Sequence, residues 1–174
     1  MRGLKKQWFN PFLWSKRQIK VALAVFYMIA IPAFIIVGLQ PAQAVDVDGL
    51  PSLSIPTVGI DTPVAESTLD GKQLSVPDRI AAAYSTDPSK LFLMGHSATV
   101  FKTLKNIRKG DEVYYNGNTY VVSDITTKPK SEISMKEILA PAEQETVIIM
   151  TCAGRSLGAN DYTHRLIVTA ERKL

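Results

Sequence analysis

The 174-residue chain has one cysteine, Cys152, two histidines, His96 and His164, and two tryptophans, Trp8 and Trp14. It has no acidic residue before Asp46, no internal repeat and no low-complexity tract, and its glycines are scattered. Each shortage excludes something. A lone cysteine cannot close an internal disulfide. One cysteine and two histidines are too few ligands of the preferred type for structural zinc, so no metal is expected. Scattered glycines supply neither a phosphate loop nor a dinucleotide fingerprint, and no cofactor is expected. The missing acids at the amino terminus account for the formal charge of +4, because Arg2, Lys5, Lys6, Lys16, Arg17 and Lys20 go unbalanced there. Without those six, 14 basic residues face 16 acidic ones, a net of −2. The remainder has no cationic surplus with which to build a face for a phosphate backbone, which sets nucleic acid aside.

What the amino terminus has instead is one long apolar run. From Ile19 to Leu39 the chain reads IKVALAVFYMIAIPAFIIVGL and carries no charge after Lys20. About 20 such residues are needed to cross a hydrocarbon core of about 30 Å. Pro32 only kinks a membrane helix. The basic residues precede the run and Asp46 and Asp48 follow it, so the positive-inside rule places residues 1–18 in the cytoplasm and the rest of the chain outside. Trp8 and Trp14 lie where interfacial aromatic anchors sit. The rival is a secretory signal cleaved after Ala42-Gln43-Ala44. Its apolar region would be unusually long against the usual 7–15 or so residues, which favours a retained anchor in the cell membrane. Residues 40–54, QPAQAVDVDGLPSLS, are small, polar and turn-rich and read as a tether.

The folded part is expected over 55–174. Short runs rich in Val, Ile, Tyr and Thr, such as TVGIDTPVAE, KLFLMGHS, DEVYYNGNTYVVSD, ETVIIMTCAG and THRLIVTAER, are separated by Gly, Pro, Asn and Asp and predict the strands of a sandwich or barrel. Asn116-Gly117 predicts a tight hairpin turn. Two short helices are expected: one over Val76–Tyr84, with Pro77 and Asp78 at its start and three alanines behind them, and one over SMKEIL, where Ser134 and Glu137 have capping-box spacing.

The single cysteine ends the apolar run VIIM in an exported domain. A thiol outside the cell is open to oxidation, so its presence implies burial or use. Use needs a base, and only His96, at the end of the strand LFLMG, and His164, at the start of HRLIVTA, are available. Alternation along a strand sends His164 and its neighbour Arg165 to opposite faces, so the two do not serve one site. Cysteine, histidine and arginine together suffice for acyl transfer. The thiolate attacks, the histidine moves protons, and a guanidinium donates to the oxyanion without changing its own protonation.

The ordered set Gly95-His96, Thr151-Cys152 after a β-branched strand, and Arg165 in the next strand resembles the sortases, as do IPTVGIDTPV and FKTLKNIRKGDEVYYNGNTYVV. That resemblance implies a mostly β fold, a closed barrel of about eight strands with short helices, which is a size that side chains alone can fill. It implies His96 as general acid/base, Cys152 as nucleophile, Arg165 as the residue stabilising substrate and oxyanion, and Thr151 as a residue lining the substrate groove. The implied reaction cleaves an LPxTG-like sorting signal at the carboxyl end of an exported protein. It passes through a thioacyl enzyme and delivers the acyl group to an amine of a cell-wall precursor or a pilin lysine. Ile148 stands where many sortases carry the first threonine of Thr-Leu-x-Thr-Cys, which leaves the subclass open. The alternative is a membrane-tethered, non-catalytic β domain that binds or scaffolds at the surface, with Cys152 as packing.

Overall fold

The computed structural model describes residues 49–71, 73–158 and 161–174. The basic tail and the apolar run Ile19–Leu39 lie outside the described residues, as does most of the tether. Among the described residues no helix is long and apolar enough to cross a membrane.

Among the described residues ten strands form, eight of them in a closed barrel. They are β1 (Ser52–Ile55), β2 (Ile60–Glu66), β3 (Leu69–Asp70), β4 (Gln73–Leu74), β5 (Ala81–Asp87), β6 (Lys90–Met94), β7 (Glu112–Tyr115), β8 (Asn118–Pro129), β9 (Thr146–Gly158) and β10 (Asp161–Arg172). The barrel order is β1-β2-β5-β6-β9-β10-β8-β7, closed by β7 against β1, while β3 and β4 form a separate small hairpin. Two neighbouring pairs are parallel, β2 with β5 and β6 with β9; the rest of the barrel pairs are antiparallel. Folding begins at Ser52, inside the stretch whose composition reads as tether, and Leu53 is wholly buried.

Alternation sorts the side chains into two apolar clusters. Leu53, Val64, Leu93, Val147, Ile149 and Val168 fill the barrel interior. On the outer face Ala82, Phe92, Met94, Ile138 and Ile148 form a second cluster, with Met150 and Ile167 packed against it. Between β6 and β7 the chain has no strand, yet Phe101, Leu104 and Ile107 fold back onto the interior cluster. Each such large side chain, when fully buried, contributes about 1.5–3 kcal/mol.

Local signals decide some elements and long-range packing decides others. Asn116 and Gly117 take φ of 47° and 77°, the paired positive angles of a tight hairpin turn. The one-turn helix α1 (Met135–Ile138) starts at Ser134, whose side chain accepts from the Glu137 N–H, and it lays Ile138 on the outer cluster. The helix expected over Val76–Tyr84 does not form: Ala81–Asp87 is strand β5. Ala81 to Ala83 pair in parallel with Val64 to Glu66, and the small alanines let both faces be covered, Ala81 inside and Ala82 outside. Alanine's helical advantage over other ordinary residues is at most about 0.7 kcal/mol apiece, which burial on two sides and a sheet ladder outweigh.

Candidate active site

Two neighbouring strands and the end of a third carry the candidate residues. β6 and β9 run parallel with Met94 opposite Met150 as the last registered pair. His96 and Cys152 are each two residues further on. On the other side of β9, Cys152 is the direct antiparallel partner of Arg165 on β10. Adjacent strands lie about 4.8 Å apart, so Cys152 stands between its two candidate helpers.

Alternation puts Cys152 and Arg165 on one face. Phe92 and Met94 on β6, Ile148 and Met150 on β9, and Ile167 on β10 belong to the outer cluster. Cys152, two positions on from Met150, and Arg165, two before Ile167, share that side by alternation, and His96 lies two residues past Met94, just beyond the end of β6. Cys152 is half-buried, and the His96 and Arg165 side chains are 28% and 16% exposed.

Thr151 points the other way. It is a groove-lining residue by family resemblance, but its side chain shares the inward face of Val147 and Ile149 and is 4% exposed. Its hydroxyl donates to the Gly95 carbonyl at 2.7 Å. The bond therefore ties the residue before Cys152 to the residue before His96. Inward placement follows from the same period of two that sends Cys152 outward.

His96 is held from behind as well. A Cβ on Gly95 would sit 2.7 Å from the Phe101 ring, so only glycine lets that buried ring pack against the backbone just ahead of His96. The His96 carbonyl accepts from the N–H groups of Phe101 and Thr99, at 3.0 and 3.3 Å, which closes the turn that follows. Asp78 Oδ1 lies 3.8 Å from His96 Nε2, an ion pair only when the imidazole is protonated. The Thr99 hydroxyl donates to the Asp78 carbonyl at 2.7 Å. Asp78 escaped the sequence reading because it was assigned to the start of a helix.

Arg165 is gripped by its own strand. NH1 donates to the carbonyls of Tyr162 and His164, at 3.1 and 3.0 Å, and NH2 lies 3.6 Å from Asp161 Oδ1. His164 takes the opposite face from Arg165, as its alternation requires, with Nδ1 2.8 Å from the Thr163 hydroxyl. Gly154, at φ 78°, leaves room for that pair, since a Cβ there would be 2.6 Å from His164 Nδ1 and from Thr163 Oγ1. Among the described residues no group of three or more His, Cys, Asp or Glu is arranged to hold a metal ion.

A half-exposed thiol between a histidine and a fixed arginine, on the outside of a closed barrel, has the parts for acyl transfer. Residues 53–173 match the family model of the sortase domain. The chain belongs to the sortase family. Sortases are cysteine transpeptidases, and the barrel agrees with solved members. The lid mutant of sortase A from Corynebacterium diphtheriae is 26% identical, with a TM-score of 0.56 over 78% of this chain and 75% of that one. Sortase C-1 from Actinomyces oris is also 26% identical, with a TM-score of 0.55 over 74% of this chain and 76% of that one. Sortase C1 from Streptococcus suis, at 21% identity and a TM-score of 0.58 over 72% and 73%, adds likeness of fold alone. No curated protein matches the chain.

Proposed function

We propose that this sortase cleaves an LPxTG-like sorting signal with Cys152 and passes the acyl group to an amine. The reading is supported by register: Arg165 lies directly opposite Cys152 across β9 and β10, and His96 follows the end of β6 two residues past Met94, as Cys152 lies two residues past Met150, the partner of Met94. Cys152 as thiolate attacks the scissile carbonyl. The negative charge that develops on the carbonyl oxygen is met by the Arg165 fork, whose orientation is set before substrate arrives. Collapse of the tetrahedral adduct breaks the C–N bond, and His96 gives its proton to the departing amine, leaving a thioester on Cys152. The second half runs in reverse order with a new amine: His96 removes its proton, the amine attacks the thioester, and the thiolate leaves. Thr151 acts from behind the site, through its bond to Gly95, by keeping the ends of β6 and β9 in step.

The apolar side chain of Met150, two residues before the thiol on the same face and partly exposed, suits the leucine or proline of such a signal. The acceptor is a cell-wall precursor or a pilin lysine, and the donor is an exported protein. We assign Ile19–Leu39 as a single-pass anchor in the cell membrane, with residues 1–18 cytoplasmic and the catalytic domain outside, on its length and on the basic residues that precede it.

The test is to incubate the full-length chain with a panel of sorting-signal peptides and to look by mass spectrometry for the acyl fragment on Cys152. An adduct that a small amine then removes is expected. No adduct with any member of the panel would sink the reading.

A further inference from the structure

We propose that Asp161, braced by Lys130, is a positioning residue that fixes the plane of the Arg165 guanidinium beside Cys152; its catalytic consequence rests on the transpeptidase reading above. The start of β10 is irregular. Its register against β9 slips between Asp161 and Tyr162 and again between Tyr162 and His164. Arg165 NH1 takes the carbonyls of Tyr162 and His164 that flank the second slip. These two bonds anchor one arm of the fork to the backbone of its own strand. The second nitrogen, NH2, is the one that Asp161 faces at 3.6 Å. With both nitrogens engaged on the protein side, the plane is set.

Asp161 has partners of its own. Its Oδ1 accepts from Lys130 Nζ at 2.8 Å and from the Tyr162 N–H at 2.9 Å. Lys130 directly follows β8, and β8 is hydrogen-bonded to β10 with Lys128 opposite Arg165 and Pro129 opposite His164. The brace therefore joins two strands. The Asp161 carboxyl is held below the usual carboxylate range, first by the Lys130 hydrogen bond and then by the Tyr162 N–H. A lowered carboxyl stays ionised as pH falls past the ordinary value, so the clamp is present at neutral pH and lost only well into acid.

As a plain surface ion pair Asp161 would matter little, since exposed pairs contribute about 0–1 kcal/mol. The experiment therefore reads orientation rather than stability. On the full-length chain with 15N-labelled arginine, hydrogen exchange at the Arg165 Nε–H is compared between wild type and Asp161→Asn, with Arg165→Lys to assign the signal. An increase of about tenfold or more in Asp161→Asn is expected; unchanged exchange overturns the clamp. In parallel, acylation of Cys152 by a sorting-signal peptide should lose about tenfold in kcat with little change in KM, because a small misplacement of a catalytic group is felt in the transition state. Asp161→Glu should recover much of that loss, while melting temperature stays put in both variants. Wild-type kcat in Asp161→Asn overturns the catalytic consequence. Failure of the wild-type chain to acylate with any peptide would count against the transpeptidase reading alone, and the exchange measurement would still decide the clamp.

Discussion

Cys152 and Thr151 are neighbours on β9, as Arg165 and His164 are on β10, yet each pair is divided between the two faces of the same sheet. The outward members, Cys152 and Arg165, are direct partners across β9 and β10 on the side of the outer apolar cluster. The inward ones turn to backbone and hydroxyl partners: Thr151 to the Gly95 carbonyl, His164 to the Thr163 hydroxyl. Chemistry and support are thus separated by one residue of register. A one-residue slip in either strand would exchange them, so the fold has reason to pin register here, and the Thr151 bond does so at the end of the parallel pair β6 and β9.

The strongest break in that comparison is Cys152→Ala. It should abolish the acyl adduct completely while leaving the thermal midpoint within a few degrees, because the side chain is half-buried on the outer face and the substitution removes one atom. A variant that still forms the adduct, or whose function is intact, would return the domain to a binding or scaffold role. Next in size is Arg165→Lys. Removing one preorganised oxyanion donor costs about 10²–10³ in kcat elsewhere, and a lysine ammonium does not reproduce a fork whose plane is fixed by two carbonyls and a carboxylate. Single-turnover acylation measures it. A lysine variant with near wild-type rate would remove the oxyanion role from Arg165.

Cys152 and His96 could be named as candidates because the inventory is so short, with one cysteine and two histidines, while Arg165 came only from the ordered set that resembles a family. Local devices were legible for a similar reason. The Asn116-Gly117 turn and the Ser134 cap depend on two to four adjacent residues. What stayed hidden depends on residues far apart. Nothing near Ala81 announces that it will lie parallel to Val64, so three alanines read as helix; that error hid Asp78, which reaches His96 only because Ala81–Asp87 is a strand. Asp161 was hidden by the register slips that turn it toward Arg165. Thr151 was legible as a neighbour of the thiol but not as a bond to Gly95, since that needs β6 beside β9.

Thr151→Val sharpens the inward half of the comparison. Valine keeps the β-branched shape and removes the hydroxyl, which leaves the buried Gly95 carbonyl without this donor. The expected loss is about 1–3 kcal/mol in chemical denaturation. A several-fold fall in acylation rate should accompany it, since the strand ends that carry His96 and Cys152 lose a tie. If stability is unchanged, the bond is not what holds β6 and β9 in step.

His164→Ala is the smallest expected effect and the most discriminating about facing. His164 shares its hydrogen bond with Thr163, and the Thr163 hydroxyl also accepts from the Arg155 N–H at 3.0 Å, so that hydroxyl keeps a partner when the imidazole goes. Stability should change by no more than about 1 kcal/mol. With its ring on the face opposite Arg165, it has no part in moving protons at Cys152, and kcat/KM should stay within about twofold of wild type. The control is His96→Ala in the same assay, which should lose the proton-transfer step and with it nearly all turnover. If the His164 variant instead loses as much as the His96 variant, the imidazole that serves the thiol comes from β10, and the assignment of faces at the start of that strand is reversed.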